Sequence, residues 1–242
     1  MSSCSSLDRR RFVQQAVGST VAASLLTPLA AGAAPAPAPA KGATEWVYVL
    51  NSRDASVSLI DKAARTESRR ITVGKEPHHL YPTPDGKSLI VGNAMSDDLV
   101  FFDPVTADIQ RRIAAIDDPY QLGFSPDTRW FVTAALRLDR VDIYRYEGGD
   151  LKLAKRLSIP KAPSHIWFSA DSSTVFATLQ DSNEIVAISL QKLEPIWKLR
   201  TGKQPAGIVM TPDDKHLLVG VMGENFVDVI DRRLASFRSP PS

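Results

Sequence analysis

The sequence contains a single cysteine, Cys4, among its 242 residues. One cysteine excludes an internal disulfide framework and an all-cysteine metal site. The absence of a Cys-x-x-Cys-His motif also excludes a covalently attached c-type haem. Glycine-rich phosphate loops, Gly-x-Ser-x-Gly nucleophile elbows and His-Glu-x-x-His zinc motifs are absent as well. The motifs therefore predict no catalytic residue and no metal site, and they favour a protein that is not an enzyme.

An excess of charge of either sign is absent from the sequence after residue 33. The whole chain has 29 Lys and Arg against 27 Asp and Glu, but three arginines and one aspartate precede residue 34, which leaves 26 of each. A neutral surface lacks the electrostatic attraction on which binding to nucleic acids and anionic membranes depends. We therefore expect no nucleic acid partner.

The first 33 residues have the three-part pattern of an export signal. Arg9 and Arg10 precede Phe12, a weakly apolar run covers 16–31, and 31–33 fits a small-residue cleavage site. The pattern resembles a twin-arginine signal peptide. It predicts the Tat export machinery as a partner and a periplasmic or secreted product. A retained anchor is the alternative, but a spanning helix needs about 20 predominantly apolar residues, so we expect no stable membrane insertion after signal removal.

A proline- and alanine-rich segment follows the predicted signal. Residues 34–44 include three Ala-Pro pairs and end in a short polar stretch. Such a composition is typical of a semi-rigid linker without a packed core. The folded part of the chain is therefore predicted to begin near residue 45.

Three sequence markers recur with one period in the rest of the chain. The aspartates of four turn motifs are spaced by 42, 44 and 42 residues, and a proline and an apolar tripeptide recur in step with them. The aspartates are Asp85, Asp127, Asp171 and Asp213, and the prolines are Pro77, Pro119, Pro163 and Pro205. A period of this length is typical of propellers and helical solenoids. Because an activity needs one site rather than four, we expect the aspartates to cap their own turns.

Within each period the apolar segments have the character of β-strands. They are short, rich in β-branched and aromatic residues, and separated by Asp, Asn, Gly and Pro. In the second repeat, strands are predicted at about 78–82, 87–92, 98–103 and 108–113. Four antiparallel strands form one propeller blade. The sequence therefore predicts an all-β protein, a β-propeller of four-stranded antiparallel blades with about five repeat units across 45–231.

The repeat resembles a known family. Tyr48-Val49-Leu50-Asn51 resembles the tetrapeptide that names the YVTN repeat, and Leu59-Ile60-Asp61 and Thr211-Pro212-Asp213 match other fixed points of it. On these residues, 45–231 resembles the YVTN-repeat β-propeller family, whose members include YncE-like exported proteins, lactonase-fold proteins and the haem-binding propeller of nitrite-reductase cytochromes. The resemblance implies a propeller fold. It leaves three functions open: a binding or scaffold module for a protein or small ligand, a noncovalent haem-binding propeller, and a lactonase-like hydrolase.

The repeat is incomplete at both ends of the predicted propeller. The first unit, 46–75, lacks an innermost strand, and the last, 205–231, lacks an outermost one. A shared blade is possible if a strand near 68–73 pairs with the last unit, and an open arc is the alternative. Because 232–242 stops resembling the repeat where an outer strand is due, we expect an irregular tail there and an incomplete propeller.

The candidate binding residues lie in the innermost strands. Their side chains alternate between two faces, and one face is predicted to be core: Leu80, Pro82, Leu122, Phe124, Ile166, Phe168, Ile208 and Met210. The other face begins with His79, Gln121, His165 and Gly207 at equivalent positions. Inner strands border the channel of a propeller, so we predict that His79, Gln121 and His165 face an unknown protein or small-molecule ligand at the channel mouth.

Two interpretations of these histidines stay open. A neutral imidazole could ligate a metal or the iron of a bound haem, which makes haem a possible cofactor. The alternative, which we favour, is a set of polar side chains around a water-filled channel. His78 is predicted to point away from His79, because adjacent strand residues face opposite sides of a sheet. Arg137, in a loop that differs most from its counterparts, is assigned to the surface.

Overall fold

The computed structural model describes residues 45–232, which form eighteen β-strands and two short 3-10 turns, Ser52–Asp54 and Leu136–Leu138. The strands are β1 (Trp46–Asn51), β2 (Ser56–Asp61), β3 (Thr66–Thr72), β4 (Pro77–Pro82), β5 (Leu89–Asn93), β6 (Asp98–Phe102), β7 (Ile109–Ala114), β8 (Gln121–Phe124), β9 (Trp130–Ala135), β10 (Arg140–Glu147), β11 (Asp150–Ser158), β12 (Pro163–Phe168), β13 (Thr174–Leu179), β14 (Glu184–Ser189), β15 (Glu194–Arg200), β16 (Pro205–Met210), β17 (His216–Val221) and β18 (Val227–Asp231). The all-β prediction is confirmed, and the four strands predicted in the second repeat agree with β4 to β7 within two residues. The predicted signal residues Arg9, Arg10 and Phe12, the linker and the tail beyond Arg232 lie outside the described residues.

The strands form five antiparallel sheets in chain order. Sheet 1 contains β1 to β3, sheet 2 β4 to β7, sheet 3 β8 to β11, sheet 4 β12 to β15, and sheet 5 β16 to β18. The three middle sheets are complete four-stranded blades, and the first and last have three strands each within residues 45–232. β3 pairs with β2, and among the described strands it does not pair with β18, so the shared blade is not formed.

The hydrophobic core consists of four clusters, each between two neighbouring sheets. The second strands of sheets 3 and 4, β9 and β13, are buried at every residue. A strand covered on both faces is a continuous apolar run and not an alternating one. Among the described residues no cluster joins sheet 1 to sheet 5.

Equivalent positions of the inner strands occupy equivalent places in these clusters. Leu122, Ile166 and Ile208 belong in turn to the clusters between sheets 2 and 3, 3 and 4, and 4 and 5, and Leu80, which is partly buried, packs against the cluster between sheets 1 and 2. Phe124, Phe168 and Met210 are buried as predicted. Pro82 is exposed, so its assignment to the core is wrong: it is the last residue of β4 and lies where the chain leaves the sheet for a turn.

The recurring aspartates cap turns, as predicted. Each carboxylate accepts a hydrogen bond from the hydroxyl two residues before it, at 2.7 Å from Thr83 to Asp85 and 2.6 Å from Ser125 to Asp127. Backbone amides two residues later also donate to the same oxygens. These side chains therefore stabilise the turn after each inner strand.

No helix within residues 45–232 is long and apolar enough to cross a membrane.

Candidate functional site

A β-bulge in β4 brings two histidine rings together. Pro77 pairs with Asn93 and His79 with Gly92, so His78 is an extra residue on its strand. A bulge of this kind bends the strand and redirects its side chains. The His78 and His79 rings consequently lie side by side, with Nδ1 atoms 3.0 Å apart and ring centroids 4.8 Å apart. The prediction that His78 points away from His79 is wrong for this reason.

Tyr120 and His165 complete the cluster from the next two sheets. The His79 and His165 ring centroids are 5.3 Å apart with their planes at 83°. Tyr120 lies 3.8 Å from His78 and 6.0 Å from His165, measured between centroids. Gly92 permits this approach, since a Cβ there would be 2.7 Å from the Pro119 carbonyl oxygen. We call His78, His79, Tyr120 and His165 the histidine cluster.

Sequence reasoning missed Tyr120 and misplaced His78, although a signal was available for both. Tyr120 follows its recurring proline as His78 follows Pro77, so the two residues are equivalent positions in neighbouring repeats. Gln121 lies at the inner-strand position equivalent to His79 and His165, and its contact with a ligand stays a prediction. Its side-chain oxygen accepts a hydrogen bond from the Ile166 amide, which links the inner strands of sheets 3 and 4.

Hydrogen bonds fix the tautomer of His79. Its Nδ1 lies 2.6 Å from the Tyr120 carbonyl oxygen. A carbonyl oxygen can only accept, so Nδ1 carries the ring proton and Nε2 carries a lone pair. Within the described residues no hydrogen bond uses that Nε2 atom.

A chain of hydroxyl groups fixes the tautomer of His165. Its Nδ1 lies 3.2 Å from Ser164 Oγ, which is 3.0 Å from Thr178 Oγ1. Thr178 in turn donates to the Ala206 carbonyl oxygen at 3.0 Å. Because a hydroxyl has one proton, this order makes Ser164 donate to Thr178 and accept from His165 Nδ1. His165 therefore also presents an unprotonated Nε2.

Burial keeps the three rings neutral at neutral pH. It lowers the pKa of His165 to about 4, with a further contribution from the nearby His79 and His78 rings. Burial also lowers the pKa of His79, against the opposing effect of its bond to Tyr120, and it lowers the pKa of His78 together with the neighbouring His79 ring. Burial raises the pKa of the Tyr120 hydroxyl, so this group stays protonated. The cluster thus offers neutral acceptors and a phenolic donor.

An apolar cavity of about 130 Å³ lies beside the inner strands of sheets 2, 3 and 4. Tyr81 and Trp167 contribute to its lining, together with Gln121 and Gly123. Tyr81 and Trp167 follow His79 and His165 by two residues, so they lie on the same side of their strands. The absence of a side chain at Gly123 leaves this space open, since a Cβ there would be 3.2 Å from the Phe168 ring.

Arg137 joins two acidic residues next to the histidine cluster. Its guanidinium contacts Glu76 at 2.5 Å and Asp118 at 2.7 Å, and it also donates to the Ala94 carbonyl oxygen at 2.7 Å. The Arg137 side chain is 38 % exposed, whereas that of Asp118 is 3 % exposed. Arg137 is therefore not only a surface residue, because its ion pairs and hydrogen bond connect the loops of sheets 2 and 3. Within residues 45–232 no group of three His, Cys, Asp or Glu side chains is positioned to hold a metal ion.

Solved structures share the fold. A chain of Kuenenia stuttgartiensis hydrazine synthase is 22% identical with a TM-score of 0.61, covering 72% of this chain and 52% of that one. A candidate 6-phosphogluconolactonase from Bacteroides uniformis is 18% identical with a TM-score of 0.69, covering 80% and 66%. The dihydro-heme d1 dehydrogenase NirN, in complex with DHE, is 16% identical with a TM-score of 0.60, covering 79% and 42%. This chain thus spans less than two thirds of the length of these proteins.

The family is identified from the sequence itself. No curated protein matches the chain, and identities this low in the solved structures indicate the fold alone. A sequence profile, however, matches residues 13–238, nearly the whole chain, which agrees with the YVTN-type resemblance and with the five antiparallel sheets. The chain belongs to the YNCE-like beta-propeller family.

Proposed function

We propose that the protein is a binding module that takes a small organic ligand beside the histidine cluster. The observation that carries this proposal is the pair of unprotonated Nε2 atoms on His79 and His165, each two residues along its strand from Tyr81 or Trp167, which line an apolar cavity. Binding sites commonly combine apolar walls with a few converging polar groups. A cavity of about 130 Å³ holds a group about the size of one aromatic ring. The proposed ligand is therefore a single-ring compound with an N–H or O–H donor.

The aromatic side chains favour a flat ring over an aliphatic group. Tyr81 and Trp167 contribute ring faces or edges to the cavity, and aromatic pairs gain about 0.5–1.5 kcal/mol beyond their buried area. A donor on the ligand would supply the partner that the imidazole nitrogens lack. Each such hydrogen bond contributes about 0.5–1.5 kcal/mol.

The haem alternative finds little support in the geometry. The His79 and His165 rings are in edge contact, with centroids 5.3 Å apart, so no tetrapyrrole plane fits between them. The neighbouring cavity, about 130 Å³, is smaller than the range of about 300–1,000 Å³ typical of sites for drug-sized ligands and cofactors. We therefore derive no chemistry from haem in this chain.

The hydrolase alternative rests on the acid, imidazole and guanidinium groups at one end of the sheets. Glu76, Asp118 and Arg137 lie near His78 and Tyr120, whose pKa values they influence. Arg137, however, already donates to Glu76, Asp118 and the Ala94 carbonyl. A guanidinium used in this way is not placed to stabilise a developing oxyanion. A screen with simple lactones tests this alternative, and we expect no turnover above the buffer rate.

Ligand binding is testable with three small aromatic compounds, of which phenol and toluene have one ring and indole has two fused rings. Phenol and indole carry a donor, whereas toluene has a similar ring and no donor. We expect saturation-transfer NMR on the full chain to show that phenol and indole bind at least threefold more tightly than toluene, the effect of one hydrogen bond. His79→Ala and His165→Ala should remove this preference.

His216→Ala provides the matched control, because His216 lies at the start of β17, outside the histidine cluster. It should leave phenol and indole binding unchanged. Equal binding of the three compounds, or an equal loss in all three variants, contradicts the proposed role of the imidazole nitrogens.

Export is a separate part of the proposal. We propose that the mature protein is periplasmic or secreted, with Arg9 and Arg10 recognised by the Tat machinery. Replacing both with lysine should retain the protein in the cytoplasm, and Arg11→Lys should not. Cell fractionation followed by immunoblotting measures the distribution, and normal export of the double variant refutes this route.

A further inference from the structure

The outer strands of the sheets are basic, although the chain after residue 33 has no excess of either charge. The outer strands β3, β7, β11 and β15 together contain nine Lys and Arg residues but only three Asp and Glu residues. Each of these strands lies at the edge of its sheet opposite the inner strand or on that side of it. Positive charge is therefore concentrated along the outer edges of the sheets.

In the first two grooves between neighbouring outer strands, basic side chains have partners in the next sheet. Arg69 of sheet 1 lies 3.3 Å from Asp108 of sheet 2. Arg111 of sheet 2 donates to the Gly149 carbonyl oxygen of sheet 3 at 2.6 Å. These cations join neighbouring sheets, so their hydrogen-bonding groups are already used within the chain.

The outer strand of sheet 3 directs two lysines towards sheet 4. Leu157 of β11 belongs to the core cluster between sheets 3 and 4, and Lys155, two residues earlier, lies on the same side of the strand. Leu151 packs against the cluster between sheets 2 and 3, so its neighbour Lys152 lies on the opposite side, towards sheet 4. Both lysines are exposed.

The outer strand of sheet 4 directs two cations towards sheet 3. Trp197 and Leu199 of β15 pack against the cluster between sheets 4 and 5. Lys198 and Arg200 alternate with them and therefore point to the other side. The register agrees, because Lys198 pairs with Val186, which belongs to the cluster between sheets 3 and 4. We call the space lined by Lys152, Lys155, Lys198 and Arg200 the basic groove.

The cations of the basic groove have no partner in the described part of the chain. Their side chains make no hydrogen bond and no ion pair within residues 45–232. Arg145, which pairs with Lys152, adds a further cation to the same wall. The acidic residues Asp150 and Glu184 stand at the two ends of the groove, at the first residue of β11 and opposite Arg200. Neither forms an ion pair with these cations.

The remainder of the chain has no acidic segment that could cover this groove. Residues 1–44 contain one acidic residue, Asp8, and four basic ones, and residues 233–242 contain two arginines and no acidic residue. The negative charge that complements the basic groove therefore comes from another molecule.

We propose that the basic groove binds an extended acidic segment of a partner protein, with Asp or Glu at alternate residues. Lys152 lies near the start of β11 and Arg200 is the last residue of β15, so the cations follow the groove for the length of about five extended residues. A long, uniformly charged polymer would continue onto Asp150 and Glu184, whereas a short acidic segment ends where the cations end. Charge complementarity of this kind gives specificity and fast association.

The experiment titrates peptides with the full chain and measures affinity by fluorescence anisotropy. The probe is a peptide of alternating Glu and Ser with a neutral fluorophore, and its control has Gln in place of Glu. We expect saturable binding of the Glu peptide at about 10 mM salt, weaker binding at about 150 mM salt because of screening, and no binding of the Gln peptide. The histidine cluster takes no part, so this inference does not rest on the proposed ligand.

A double variant locates the site. Lys155→Gln with Lys198→Gln removes one cation from each wall and should weaken the Glu peptide about fivefold, the scale of two exposed ion pairs. Lys75→Gln with Lys87→Gln is the matched control, because these exposed lysines flank the strands of sheet 2 and the change in net charge is the same. It should leave the affinity unchanged.

Three results overturn the proposal. The first is no saturable binding of the Glu peptide at about 10 mM salt. The second is an equal loss of affinity in the two double variants, because net charge and not the basic groove then attracts the peptide. The third is tighter binding of polyphosphate than of the Glu peptide, with the same dependence on Lys155 and Lys198, which assigns the groove to a phosphate polymer.

Discussion

Acidification should destabilise the fold through the histidine cluster. His165 has a pKa of about 4 in the folded chain, below its ordinary value of 6.5, because it is buried beside two other imidazoles. Between these values the unfolded chain binds a proton at this ring and the folded chain does not. The free energy of unfolding is therefore highest above pH 6.5 and falls as the pH falls towards 4. The lowered pKa values of His78 and His79 act in the same direction.

The size of the effect follows from the shift. One pKa unit corresponds to about 1.4 kcal/mol, which gives about 2 kcal/mol for His165 between pH 7 and pH 5. The ring is partly exposed, so solvent screening reduces this to about 1 kcal/mol. Urea unfolding followed by tryptophan fluorescence at the two pH values measures it. His165→Asn should lose about 1 kcal/mol less than the wild type on acidification. An unchanged pH dependence in His165→Asn refutes the reasoning.

Three further predictions concern the core, a buried ion pair and the cavity. Leu122→Ala should lower the free energy of unfolding by about 2–5 kcal/mol, because Leu122 is 1% exposed between two sheets. The control Val229→Ala, at an exposed position, should change it by less than about 0.5 kcal/mol. Equal losses for the two variants in urea titrations would contradict the assignment of Leu122 to the core. Asp142→Asn should cost about 2–3 kcal/mol, since it removes the charge of a fully buried carboxylate that both Arg140 and Arg156 contact, and a neutral effect contradicts this. Gly123→Ala should weaken phenol binding by about 1 kcal/mol because its Cβ enters the cavity wall, and undiminished binding places the ligand elsewhere.

Periodicity made most of the fold predictable. The spacing of prolines and aspartates defined equivalent positions, and strand parity then assigned Leu122, Ile166 and Ile208 to the core without any structure. These core assignments could be predicted because the position of a turn and the alternation of side chains along a strand both depend on residues that are close together in the sequence. The assignment of Pro82 to the core was wrong because the alternation of side chains does not indicate where a strand ends.

The site depended on features that the sequence expresses weakly. The bulge at His78 shifts the register by one residue, which reverses any assignment based on alternation. Tyr120 reaches the cluster only because Gly92 leaves space for the Pro119 backbone. The tautomer of His165 depends on Thr178, thirteen residues away, and on Ala206, so it requires the pairing of three strands.

The division of the core into four clusters affects how the sheets depend on one another during unfolding. Each sheet is stabilised by its immediate neighbours, as in repeat proteins whose energetics sum over adjacent units. Sheets 1 and 5 each have one such neighbour among the described residues, whereas the three sheets that bear the histidine cluster have two. Loss of one sheet should therefore weaken mainly the sheets beside it, and the imidazoles keep packing support from more than one cluster.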